Sequence, residues 1–331
     1  MIYLISSLIA FFGCLLLTFK PFELAKPSKR GLHVKDIPSS AGIALFSGFS
    51  VALIFETQNI SSLLIILAAI LIIGFLDDKG KISRSIRFII QILISTISIY
   101  MIGGLSFHPI LFFIAIIFMT YFINAYNFMD GIDLMLTTQS LFYLIALLAL
   151  LNANSPWLPS IQIMISVLSV FILFNYHPAK LFLGNAGSYF LGTYISILMI
   201  GLHLLSEVSI LTSLILVTAS VADTAYVIIR RFFDKFIVLY DKNKALKIAL
   251  ITSIKHVFGV AHRAHNYQKL ALKYKNHTKA LIPIMMYNIL WCLPLAIIST
   301  INTGYGVLCL FLSYTPYIVW CYKNKTGIEE N

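Results

Sequence analysis

Apolar runs of about twenty residues recur from one end of this 331-residue chain to the other, and that recurrence limits the fold more than any other feature. A helix needs about 20 apolar residues to cross some 30 Å of hydrocarbon. With 59% hydrophobic and only 11% charged residues, the chain is far more apolar than the roughly 45–50% of a soluble domain. An all-α, polytopic membrane protein follows. Runs at 2–19, 40–55, 60–76, 86–102, 109–128, 134–151, 160–175, 186–204, 210–229, 281–299 and 304–321 predict eleven spans in one domain, 1–331, with a basic segment at 230–280 outside the bilayer. The first run lacks a basic leader and a small-residue cleavage site, and Lys20 follows it, which predicts a retained helix.

Alternating the connections between two sides tests that list. All 24 Lys and Arg fall on one side, in Lys20 to Lys35, Lys79 to Arg87, Lys180, Arg230 to Lys279, and Lys323 with Lys325. The connections around Glu56, His108, Asn152, Glu207 and Asn302 carry none. Positive residues stay inside, so the expected N-terminus is outside and the C-terminus cytoplasmic. The net charge of +11 then faces membrane lipid headgroups and anionic substrates, and nucleic-acid binding is not expected. Cys14, Cys292, Cys309 and Cys321 lie in or at the ends of apolar runs without paired or metal-ligand spacing. They predict core residues and no disulfide.

The polar residues that remain cluster on the basic side. Asp77 and Asp78 close the third span; adjacent carboxylates repel and favour a divalent cation or lysine neighbours, although a solvated helix end would show the same pair. Asn124, Asn127, Asp130 and Asp133 recur every three residues, so they share a slowly turning helix stripe. Gly131 predicts a helix end that releases Asp130 and Asp133 into a turn. Their oxygens suit magnesium, or a base and ribose, with interhelical hydrogen bonding as the plainer use. After Asn175 a short turn leads to Gly184, Asn185, Gly187 and Ser188, which would open a helix onto a phosphate or simply pack. Asp223 lies seven residues before Arg230 on one helix face, a functional candidate or a buried structural pair. His262, Arg263 and His265 fall in HRAHNYQKL and suit a phosphate, a metal or a carboxylate.

In order and spacing, Asp77-Asp78, NAYNFMDGID, Asn175 with FLGNAGS, Asp223-Thr224 with Arg230-Arg231, and HRAHNYQ resemble the polyprenyl-phosphate N-acetylhexosamine-1-phosphate transferase family (glycosyltransferase family 4), over residues 33 to 268. The loop form is most similar to the O-antigen or capsule-initiating branch. The resemblance implies transfer of a sugar 1-phosphate from a UDP-sugar to undecaprenyl phosphate at a bacterial inner membrane, with Mg2+ (or Mn2+) as cofactor and UMP released. It carries Asp77 and Asp78 over as groups that orient the lipid phosphate and Lys81 as a phosphate holder. Asp133, Asn175 and Phe182 would receive the uridine, and Asn127 and Asp130 the diphosphate and sugar. Asn124, Gly184, Ser188, Asp223 and Arg230 join them as substrate-binding candidates, with His262, Arg263 and His265 capping the site. Asn127 and Asn185 are the metal-ligand candidates. A homodimer is left open, and a surface glycan such as lipopolysaccharide or cell-wall polymer is the expected destination. Two positions depart from the pattern: Asn185 stands where the family usually has a magnesium-binding Asp, and Leu134 where Gly is common. The first leaves room for a catalytically silent homologue. A transporter would need internal repeats and midplane charges; no repeat relates the two halves.

Overall fold

The computed structural model describes residues 1–27, 33, 35–56, 61–243, 246–259 and 262–328, with the side chains of 56, 61, 105, 242, 243, 258 and 259 left aside. Lys29, Arg30 and Lys244 of the basic clusters, and residues 57–60 of one opposite connection, lie outside the described residues.

Helix α1 (Ile2–Phe19) leads into a two-stranded antiparallel pair, β1 (Leu24–Ala25) with β2 (Ile37–Pro38), in which Leu24 faces Pro38 and Ala25 faces Ile37. There follow α2 (Ala41–Glu56), α3 (Ser61–Asp78), α4 (Arg84–Met101), α5 (Pro109–Met129), α6 (Met135–Leu150), α7 (Leu158–Asn175) and α8 (Gly184–Leu204). The C-terminal part contains α9 (Ile210–Leu216), α10 (Thr218–Asn243), α11 (Leu246–Gly259) and α12 (Asn266–Tyr274). Then come α13 (His277–Tyr287), α14 (Leu293–Ser299) and α15 (Thr303–Lys323). Polar caps set several starts: the Ser83 hydroxyl accepts the Ile86 N–H, Asn276 the Lys279 N–H and Asn302 the Tyr305 N–H.

Among the described residues seven helices are long and apolar enough to cross a membrane. The pair α9 and α10 adds an eighth if counted as one span, while Ala41–Phe55 and Met135–Leu150 are shorter apolar helices. Helices cover each predicted run, and among the described residues length and composition support seven or eight crossings, which does not confirm the count of eleven. Large apolar side chains such as Phe12, Ile114 and Phe311 face outward on α1, α5 and α15, where only a lipid environment makes exposure inexpensive. The protein is an integral membrane protein.

Helix α8 is the axis of the bundle, with 89% of its apolar window buried. Small residues let neighbours close on it. A Cβ at Gly74 of α3 would stand 2.5 Å from the Asn185 carbonyl oxygen and 2.5 Å from Ala186 Cα, and one at Gly42 of α2 would stand 2.3 Å from Gly187 Cα. Only glycine permits this approach, and it carries the end of α3 onto the start of α8.

One expectation is corrected. The run at 210–229 is not a straight span: the chain bends by 79° between α9 and α10. The basic segment 230–280 is largely helical: α10 continues to Asn243 and packs against α11. Its sequence FFDKFIVLYDK is amphipathic, and the charges that suggest a loop lie on one side of a helix.

Candidate active site

Polar side chains at the helix ends gather in three groups, around Asp77 with Asn185, around Asp133 and around Asp223. Asp78, at the end of α3, accepts the Asn185 N–H at 2.9 Å on Oδ1 and the Ala186 N–H at 3.2 Å on Oδ2. It thus satisfies orphan amides at the N-terminus of α8 and complements the positive end of that helix. The turn at Gly184, Asn185 and Ser188 was expected either to offer its amides to a phosphate or to pack; here the Asn185 and Ala186 amides hold Asp78. Gly184 takes φ +75°, and a Cβ there would meet Asp78 Oδ2 and Ser39 Oγ at 2.9 Å.

Asp77 Oδ2 gathers three donors: Arg87 Nη1 at 2.9 Å, Asn185 Nδ2 at 2.9 Å and Tyr189 OH at 2.8 Å. Asn185 in turn accepts Asn127 Nδ2 on its Oδ1 at 2.6 Å, and Asn127 also donates to Ser188 Oγ at 3.0 Å. An N–H···O bond therefore joins positions 77 and 185, where two carboxylates would need a proton or a cation between them. The NH2 of Asn185 presents a donor to Asp77, so these residues as placed do not fit a magnesium ion bridging 77 and 185. The Asn127 amide, the other metal candidate, is turned onto Asn185.

Helix α5 ends as expected, with Asp130 as its C-cap and the Asp130 N–H reaching the Asn127 carbonyl at 3.4 Å. Leu134 starts α6 at φ +65°, a left-handed conformation that costs a non-glycine residue roughly 1–2 kcal/mol. Asn175 holds it there: its Oδ1 accepts the Leu134 N–H at 2.8 Å while its Nδ2 donates to the Leu181 carbonyl at 3.1 Å. Asn175 is thus a tie between two turns, and not an open recognition group. Phe182 is zipped on both sides, its N–H to the Pro38 carbonyl and its carbonyl to the Ala41 N–H. Its half-buried ring lies edge-on to His33.

The Asp133 carboxylate is buried, with Oδ2 2.6 Å from His177 Nδ1, 3.1 Å from His277 Nδ1 and 3.2 Å from the Ala179 N–H. Burial by itself raises its pKa; the neighbouring His277 and His177 rings and the Ala179 N–H outweigh burial and hold it below the ordinary carboxylate value.

The second carboxylate cap is Asp223. It takes the His265 ring and the Asn266 N–H on Oδ1 at 2.9 and 3.2 Å, and the Tyr267 N–H and Tyr317 OH on Oδ2 at 3.3 and 3.4 Å. Asp223 is wholly buried and caps α12, while Arg230, on the same helix, binds Asp234 through Nε at 3.0 Å. Asn124 is likewise turned away, donating to Gln91 Oε1 at 2.7 Å and to the Thr120 carbonyl at 2.8 Å.

The histidine loop meets the end of α5. Tyr267 OH donates to the Phe128 carbonyl at 2.6 Å, and a Cβ on Gly131 would run into that hydroxyl. His262, His265 and Tyr267 stack in sequence at 5.1 and 5.5 Å. Arg263 and Lys81 are exposed. Sequence reasoning missed Arg87, Tyr189, His177 and His277. Tyr189 follows Asn185 by one helical turn and could have been found by that spacing; the two histidines are separated by 100 positions and share no local pattern.

A model of glycosyl transferase family 4 matches residues 60–203, which hold Asp77, Asn127, Asp133 and Asn185 but not the histidine loop. The chain is 28% identical over 258 residues to a protein of Bacillus subtilis described as a probable undecaprenyl-phosphate N-acetylglucosaminyl 1-phosphate transferase, covering 72% of this chain and 71% of that one. It is 31% identical over 180 residues to the undecaprenyl-phosphate alpha-N-acetylglucosaminyl 1-phosphate transferase of Thermotoga maritima, covering 52% and 55%. A Sulfolobus acidocaldarius protein described as a candidate UDP-N-acetylglucosamine–dolichyl-phosphate N-acetylglucosaminephosphotransferase is 33% identical over 228 residues, covering 58% of this chain and 69% of its own. With these matches, the chain belongs to glycosyl transferase family 4, among the polyprenyl-phosphate hexosamine-1-phosphate transferases.

Proposed function

We propose that this protein transfers a sugar 1-phosphate from a UDP-N-acetylhexosamine, or a 6-deoxy amino sugar nucleotide, to undecaprenyl phosphate on the cytoplasmic face of a bacterial inner membrane. An oxygen of the lipid phosphate forms a new bond to the sugar-bearing phosphorus of the donor. The bridging P–O bond breaks and UMP leaves with its electron pair. The lipid-linked diphosphate sugar would start a surface glycan such as O-antigen.

The observation that carries this reading is the joining of the ends of α3, α5 and α8 through Asp77, Asn185 and Asn127 on the side that gathers the basic residues. Two anions must be brought into line there, and fixed donors lower their repulsion. Arg87, locked to Asp77, and exposed Lys81 and Arg263 supply positive charge. In this reading Asp77 and Asp130 face the lipid phosphate and diphosphate. Asp78, Asn175 and Asp223 act as positioning residues, because their polar atoms are engaged in helix caps and turns. His262 and His265 close the site from the α12 side. The Asn185 NH2 donates to Asp77 at 2.9 Å, so in this reading the amide and Arg87 balance the Asp77 charge.

That same bond favours a second reading, a catalytically silent homologue that scaffolds an active enzyme. Purified full-length protein incubated with undecaprenyl phosphate and a panel of UDP-sugars separates the two. Mass spectrometry of the lipid should show one donor's sugar diphosphate product. Product from no donor, with product restored by Asn185→Asp, would establish the silent reading.

A further inference from the structure

The corner formed by Asp133, His177 and His277 has too many lone pairs for the protons available. These residues come from the turn after α5, the turn after α7 and the start of α13, and their ligand atoms all lie within 4.8 Å of one another. His277 Nδ1 accepts the Asp133 N–H at 3.2 Å, which requires that nitrogen to be unprotonated. The same nitrogen lies 3.1 Å from Asp133 Oδ2, so two acceptors face each other. His177 Nδ1 meets the same oxygen at 2.6 Å, and the two rings sit 4.5 Å apart, where two imidazolium charges would repel.

A cation in place of protons removes the clash between the ring nitrogens and Oδ2, with the single Nδ1 lone pair of His277 turning from the Asp133 N–H to the ion. We infer that Asp133, His177 and His277 form a binding site for a zinc-class divalent transition metal, separate from the phosphoryl-transfer centre, that clamps three segments beside the Asp130 turn. Ligands about 2.0–2.2 Å from a metal are about 3.0–3.5 Å from each other. The His277 spacing already fits, and the His177 ring has to withdraw by a few tenths of an ångström. Two imidazoles with one carboxylate select zinc, cobalt or nickel over magnesium, which prefers oxygen. Asp133 is 5% and His277 12% exposed, but His177 is 27% exposed, so one side opens to a water or a small anion as fourth ligand.

The test uses the purified full-length protein, stripped of metal and titrated with cobalt(II) chloride. The expected result is one equivalent bound with visible absorption bands, displaced by zinc chloride and not by a thousandfold excess of magnesium chloride. His277→Gln should weaken binding at least about 100-fold, the upper end of what loss of an outer-shell partner costs, whereas Asn185→Ala should leave the spectrum in place. Zinc should raise the thermal unfolding temperature of the wild type, a readout that requires no variant to fold. Absence of bound cobalt in the wild type, or equal affinity in His277→Gln, would overturn the assignment. Either result would leave the transferase reading untouched.

Discussion

Around Asn185 the amides of Asn185, Ala186 and Asn127 donate to facing oxygens, whereas around Asp133 two ring nitrogens and a carboxylate oxygen crowd one another. Both centres lie at the same end of the bundle, and both draw their residues from helix ends far apart in sequence. They differ in who supplies the neutralising charge. At the first, Arg87 and the Asn185 NH2 serve Asp77 from within the protein. At the second, the charge balance is left to protons or a metal. An amide in place of a carboxylate is therefore a change in the electrostatic design of a site, whereas the carboxylate at Asp133 meets two histidine rings instead of an amide.

The largest expected effect comes from undoing that difference. Asn185→Asp would set a carboxylate oxygen about 2.9 Å from Asp77 and remove the donor between them. In EDTA the unfolding free energy should fall by about 1–3 kcal/mol, the range for a buried polar group left without its partner. Magnesium chloride should recover most of it, and the turnover of the variant should become magnesium-dependent. Stability unchanged in EDTA would show that the Asn185 amide does not neutralise Asp77.

Asp133→Asn should act less strongly and at the other centre. It weakens the bonds to His177 and His277, and a loss of about 1–2 kcal/mol at neutral pH is expected in a thermal unfolding assay. The sign with pH is fixed by the direction of the shift. The folded pKa is held below the ordinary value, so the wild-type carboxylate contributes fully above the unfolded carboxylate's value, about 4. That contribution is lost as pH falls through the folded value. The variant should lack this acid-side loss, and parallel acid curves for the two proteins would contradict the clasp.

Arg230→Ala should do least. Arg230 and Asp234 are 34% and 51% exposed, and an exposed pair one turn apart contributes within about 0.5 kcal/mol. A large fall in substrate affinity with this variant would return Arg230 to the substrate site, from which its pairing with Asp234 now separates it.

Much of this architecture is legible in the sequence because apolar run length and positive charge act locally. The end of α5 at Gly131, the start of α8 at Gly184 and the gathering of Lys and Arg on one side all follow from short stretches. What escapes is pairing at a distance. That Asp78 caps α8 and Asp223 caps α12 depends on contacts 107 and 43 positions away, and each reads locally as a free acidic group. The 79° bend after Leu216 carries no proline or glycine to announce it. The extension of α10 to Asn243 is hidden because a charged amphipathic helix and a basic loop have similar composition. Leu134 is the reverse case, where a departure seen in sequence gains its reason from a left-handed turn held by Asn175.

The most direct measurement is UMP release by purified wild-type protein, undecaprenyl phosphate and the donor identified by product mass, set beside Asp77→Asn. The expected outcome is steady turnover by the wild type and a fall of at least about 100-fold in the variant, with unfolding temperatures within a few degrees of each other. Turnover that survives Asp77→Asn would remove the joined ends of α3, α5 and α8 from the chemistry.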